Sequence, residues 1–123
     1  MPYMDENKTI NALSALAQPT RLQTFRLLVA SEPNGVAAGE LARLANVPQN
    51  TMSAHLSIMA NSGLITSERQ SRSIIYRADL ETFRALILYL LQDCCGGNAT
   101  LCAPLIADLT PCCPLPEAAP STT

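Results

Sequence analysis

The chain lacks an excess of positive charge, an apolar run of membrane length, and any cysteine in its first 93 residues. Each absence excludes something. Eight lysines and arginines stand against ten acids, for a net charge of -2 and a pI near 5.2. Nucleic-acid binding by bulk charge is thereby excluded, and any such function must rest on a local patch. The longest apolar run, ALILYLL at 85–91, falls far short of the roughly 20 residues that span a bilayer, so no membrane partner is expected. The N-terminus MPYMDENK is acidic and polar, without the basic start and apolar run of a signal or transit peptide, and a cytoplasmic protein is expected.

Catalytic equipment is missing as well. There is no carboxylate pair, no Ser-His-Asp set and no glycine-rich phosphate loop. A Cys-x5-Arg oxyanion loop counted from Cys95 meets Leu101 where the arginine belongs. The expectation is a protein that is not an enzyme. At 123 residues the chain has room for one small domain, which buries only part of its surface alone, so burial against a partner is plausible.

What is present reads as short helices with one β element. Ile10, Leu13, Leu16 and Ala17 recur at helical spacing over 5–17, and Gln18-Pro19 closes that segment. A second helix begins near Pro19 or Thr20, with Leu22, Phe25, Leu28 and Val29 as its buried stripe and SEPNG at 31–35 as its stop. A short helix at about 39–45 follows, then a tight turn at Asn46-Val47-Pro48 and a longer helix to about Asn61, halted by Gly63. Thr66–Arg69 and Ile74–Arg77 are predicted to pair as strands around the tip Gln70-Ser71-Arg72-Ser73. Asp79 is a good N-cap for a last helix that is apolar on nearly every side, and such a helix has to be covered all round, in so small a chain by a second subunit. Five of the nine prolines lie beyond Cys102, which predicts a mobile tail over 103–123.

Two helices joined by a three-residue turn and followed by a small hairpin form the layout of a winged helix-turn-helix, whose second helix enters a major groove. The expected fold is therefore mainly α with a small β-hairpin. If Met52, Leu56 and Met59 face inward, Asn50, Ser53, Ala54 and Ser57 face outward. That small polar face can approach base edges, where amides suit adenine and hydroxyls suit bases or phosphates. From Arg43 to Arg77 there are four arginines and one acid, Glu68, so this region is basic although the chain is not. The candidate DNA contacts are Gln49, Asn50, Thr51, Ser53, His55, Ser57, Arg69 and Arg72. His55, the only histidine, lies at the edge of the inward face and reads as a positioning hydrogen-bonder.

The segments QPTRLQTFRLL, GELARLANVPQNTMSAHLSIMANSGLI and SRSIIYRAD resemble the ArsR/SmtB family of dimeric winged-helix repressors over about residues 10–95. The resemblance implies a homodimer joined through its first and last helices, bound to a two-fold operator in double-stranded DNA and released by a metal or metalloid. The expected organisation is a winged helix-turn-helix DNA-binding and dimerisation domain at 1–95 and a Cys/Pro-rich tail contributing to the inducer site at 96–123. Two departures stand out. Many relatives carry a Lys or Arg at position 54 or 57, here Ala54 and Ser57, and a Gly at the wing tip, here Ser71. Phosphate affinity then falls to the wing arginines and to helix N-termini.

Relatives also differ in where the inducer binds. ELARLANV contains no cysteine and the last helix no histidine, so two of the family's metal sites look absent. Cys94, Cys95 and Cys102 remain, similar to the DCC or NCC endings, with a third cysteine a few residues on, of arsenite-responsive members. The chemistry of the set agrees with that likeness. Soft thiolates select soft thiophilic centres, and three of them neutralise a trivalent metalloid but leave net negative charge around a divalent ion, which a helix C-terminus disfavours. As(III) is the expected inducer, with Sb(III) or trivalent organoarsenicals as relatives of it. Cys112 and Cys113 are expected to have no required role, although they could complete a four-thiolate zinc or cadmium site. A Zn/Cd- or redox-responsive repressor on the same fold, or a small metal-binding interaction protein, are the alternatives.

Overall fold

The computed structural model describes residues 4–91. The chain divides after Tyr89, and the boundary expected after residue 95, the tail and all five cysteines lie outside the described residues. The element order is α1 (Glu6–Leu16), α2 (Pro19–Ala30), β1 (Val36–Ala37), α3 (Ala38–Ala45), α4 (Gln49–Asn61), β2 (Ile65–Gln70), β3 (Ser73–Ala78) and α5 (Leu80–Leu91).

Local chemistry explains most of the boundaries. Asp5 accepts a hydrogen bond from the Lys8 amide at 2.8 Å and starts α1, Gln18 does the same for Arg21 in α2, and Asp79 for Thr82 in α5. Pro19 occupies the first turn of α2, where its missing N–H costs nothing. Asn46 ends α3 in the left-handed conformation at φ 58°, and Pro48 stands just ahead of α4 as its N-cap, one position earlier than its expected place in the first turn. Gly63, at φ 86°, turns the chain out of α4 into β2.

The core gathers around α4. Met52, Leu56 and Met59 meet Leu41 of α3, Leu28 and Phe25 of α2, Leu64 and Ile65 at the start of β2, and Leu86 of α5. Phe25 and Phe83 stack with centroids 5.2 Å apart and tilted by 46°. The sheet corrects the expected two-stranded hairpin. It has three antiparallel strands in the order β1-β3-β2, with Val36 opposite Tyr76 and Ser67 opposite Tyr76 on the other edge. Gly35 lets β1 reach β3. At φ 79°, a Cβ there would stand 2.7 Å from both Arg77 Cγ and the Tyr76 carbonyl.

Two further expectations are corrected. Leu22 and Val29 do not belong to the buried stripe of α2: they are 44% and 39% exposed, whereas Thr24 is buried beside Phe25 and Leu28. The stripe is rotated toward Thr24 because no described element covers the flank carrying Leu22 and Val29. The wing tip is also shorter than expected. Gln70 pairs with Ser73, leaving a two-residue turn, Ser71-Arg72, with positive φ at Ser71 alone, the pattern of a type II′ turn.

Candidate nucleic-acid interface

The helix-turn-helix presents one face of α4 to solvent. Gln49, Asn50 and Thr51 in its first turn, and Ser53, Ala54 and Ser57 further along, are all exposed, while Met52, Leu56 and Met59 are buried behind them. The inward and outward sets are those read from the sequence. Small side chains on the outer face leave room for base edges to come close.

The N-termini of α3 and α4 differ from those of the other three described helices. Neither Ala37 before α3 nor Pro48 before α4 supplies a side-chain cap. The first intrahelical bond of α4 runs from the Met52 amide to the Pro48 carbonyl, at 2.9 Å, so the amides of Gln49, Asn50 and Thr51 point past the helix start without a side-chain acceptor from the cap. Donors so placed, at the positive end of a helix, attract phosphate oxygens. A Cβ at Gly39 would stand 3.0 Å from Gln49 Nε2, the tip of an exposed side chain. The Gln49 amide therefore lies against the start of α3.

Charge is narrower than the count of four arginines suggested. Arg43 is bound by Glu40 through two hydrogen bonds, that from Nε measuring 3.0 Å, and these hold the Glu40 carboxyl below the usual carboxylate range. Arg77 grips Glu32 through Nε at 3.3 Å and a terminal nitrogen at 2.6 Å, and that contact raises its own pKa. Arg69 on β2 and Arg72 in the turn are exposed and carry no ion pair among the described residues. These two are the cations of the wing.

His55 is half-buried, and its Nδ1 lies 3.2 Å from a terminal nitrogen of Arg21, whose Nε donates to the Ala15 carbonyl at 2.6 Å. Sequence reading singled out His55 and missed Arg21. The only signal for Arg21 was its place in the first turn of α2, where a long side chain can fold back on the end of α1. Cys94, Cys95 and Cys102 lie outside the described residues. Among the described residues no cluster of His, Cys, Asp or Glu is arranged to hold a metal ion, and no helix is long and apolar enough to cross a membrane.

Residues 16–68 match the family model described as a helix-turn-helix domain. The HTH-type transcriptional regulator YgaV of Escherichia coli is 35% identical over 83 residues, covering 68% of this chain and 82% of YgaV. The chain belongs to the ArsR/SmtB family of winged helix-turn-helix transcriptional regulators. The transcriptional repressor SmtB of Mycobacterium tuberculosis is 37% identical over 65 residues, 53% of this chain and 46% of SmtB. Among solved structures, the homodimeric DNA-binding domain of a possible ArsR-family regulator from Mycobacterium bovis matches with a TM-score of 0.57 and 23% identity, over 75% of this chain and 85% of that one. ArsR/SmtB proteins are DNA-binding regulators and not enzymes. The element order fits the family: α3 and α4 form the helix-turn-helix and the β2–β3 hairpin the wing.

Proposed function

We propose that this ArsR/SmtB regulator is a homodimeric repressor which leaves its operator when As(III), or a related trivalent metalloid, is captured by Cys94, Cys95 and Cys102. The observation that carries the inducer assignment is the cysteine set itself: three thiols within nine residues, beginning three residues after α5 ends at Leu91. Three thiolates balance the charge of a trivalent centre and form a neutral complex. Around a divalent ion they remain anionic.

Dimerisation is supported by the outward face of α1. Its inward residues are the small Thr9, Ala12 and Ala15, whereas Ile10 and Leu13 are 54% and 43% exposed. On α5, Leu88 is 49% exposed. A second copy laid against α1 and α5 covers these side chains. It also gives two copies of α4, as a two-fold operator requires. On DNA, Gln49, Asn50, Thr51, Ser53 and Ser57 meet the major groove, while Arg69 and Arg72 meet flanking phosphates.

The test is release of the reduced, full-length protein from the DNA upstream of its own coding sequence during titration with As(III), Sb(III), Zn(II), Cd(II) and peroxide. As(III) is expected to release it. Changing Cys94, Cys95 or Cys102 singly to Ser should keep the protein bound under As(III), and changing Cys112 and Cys113 together should not matter. Release by peroxide or Zn(II) with no response to As(III) would replace the metalloid reading with a redox- or zinc-responsive one.

A further inference from the structure

The Arg21 side chain joins three elements. It leaves the first turn of α2, its Nε donates to the Ala15 carbonyl near the end of α1 at 2.6 Å, and a terminal nitrogen lies 3.2 Å from His55 Nδ1 on α4. The Ala15 carbonyl belongs to the last turn of α1, where acceptors have no partner within the helix and the helix dipole favours a cation. Arg21 thus caps α1 and reaches the reading helix with the same planar group.

Chemistry then fixes the state of the imidazole. A guanidinium has five donors and no acceptor, so His55 Nδ1 must accept, and the ring hydrogen of the neutral imidazole must sit on Nε2. With Nδ1 occupied toward Arg21, Nε2–H is the nitrogen left to donate elsewhere. The ring is half-buried and lies one turn beyond the exposed Thr51, on the flank of α4 that carries Thr51, roughly 140° or more around the helix from Asn50, Ser53 and Ser57. A donor at the margin of a helix that reads the groove meets the sugar-phosphate wall before it meets a base.

We propose that Arg21 is a positioning residue for DNA recognition: anchored on α1, it holds His55 as the Nε2–H tautomer so that this neutral imidazole donates to a backbone phosphate oxygen. The inference rests on the reading of α4 as the DNA-facing helix. It assigns Arg21 a part in binding although its own charge is turned inward to the Ala15 carbonyl and His55.

Imidazole nitrogen NMR on the unmodified protein at mildly alkaline pH should show a single tautomer protonated at Nε2. Protonation at Nδ1 would overturn the proposal whatever the variants do. In Arg21→Gln, whose amide can accept as well as donate, the tautomers should mix, and affinity for the upstream duplex should fall by about ten- to hundredfold, as expected when one hydrogen bond is removed from each half of the dimer. His55→Asn keeps an acceptor near the Nδ1 position and removes the outward donor, so it should weaken binding as much. His55→Gln restores a donor near the Nε2 position and should recover most of the affinity. All these reductions should leave the slope of log affinity against log salt unchanged, because a neutral contact releases no counterion. Full affinity in His55→Asn, or an unaltered tautomer in Arg21→Gln, would sink the idea. Should the unmodified protein bind no duplex, the DNA reading fails instead, and the tautomer still decides the Arg21 contact.

Discussion

Ser71 is where one residue departs most visibly from what its position asks. It holds φ 59° at the first central position of the wing turn, a conformation in which Cβ crowds the backbone and which glycine adopts without that cost. Ser71→Gly is expected to raise stability by up to about 1 kcal/mol, less whatever flexibility glycine adds to the unfolded chain, and thermal unfolding of the two proteins reads it directly. A lower melting temperature would show that the Ser71 side chain contributes more than its strain removes. Asn46 takes the same backbone region at φ 58°, but asparagine tolerates it. That difference decided what the sequence could reveal: an Asn before Val-Pro announces a helix end, whereas Gln-Ser-Arg-Ser contains no residue that marks a two-residue turn. The Arg21–His55 contact was hidden for another reason, since it joins positions 34 residues apart and no periodicity reports such a pair.

At the scale of elements, the helix-turn-helix was legible because its instructions are local, with Asn46, Pro48 and Gly63 setting boundaries and Met52, Leu56 and Met59 repeating at helical spacing. β1 was not. Two residues give no alternation, and Val36 and Ala37 become a strand only by pairing with Tyr76 and Ile75, an arrangement that Gly35 permits by close approach. Local charge was legible only in part, because the partners that occupy Arg43 and Arg77 lie upstream of the arginine-rich stretch, at Glu40 and Glu32. The wing consequently has two cations to offer DNA, and they should act as charges. Arg69→Gln or Arg72→Gln, each present twice in a dimer, is expected to flatten the dependence of log affinity on log salt by about 1.8, at about 0.9 for each phosphate that the variant leaves unneutralised. Filter-binding or anisotropy titrations across a salt series measure that slope. An unchanged slope would mean that the residue touches no phosphate.

At the scale of the whole molecule, the described residues carry apolar side chains that stand exposed. α1 turns alanines inward and Ile10 and Leu13 outward, the reverse of an independent surface helix. Sequence periodicity found an apolar helix there but could not say which flank faced its own core, because both flanks carry apolar residues. Ile10→Ser with Leu13→Ser is expected to leave the fold of the subunit intact and to weaken the dimer by about a hundredfold or more, given the area withdrawn from both copies. Sedimentation at graded concentrations follows this. A dimer that persists unchanged would move the interface away from α1.

The open start of α4 has a further consequence, in time rather than in space. Amide hydrogens of Gln49, Asn50 and Thr51 that no cap holds should swap rapidly with deuterium while the protein is adrift, and slow sharply once a duplex occupies them. Exchange at these three positions would then act as a clock carried by the protein itself, reporting how long each visit to the promoter lasts without any label on the DNA.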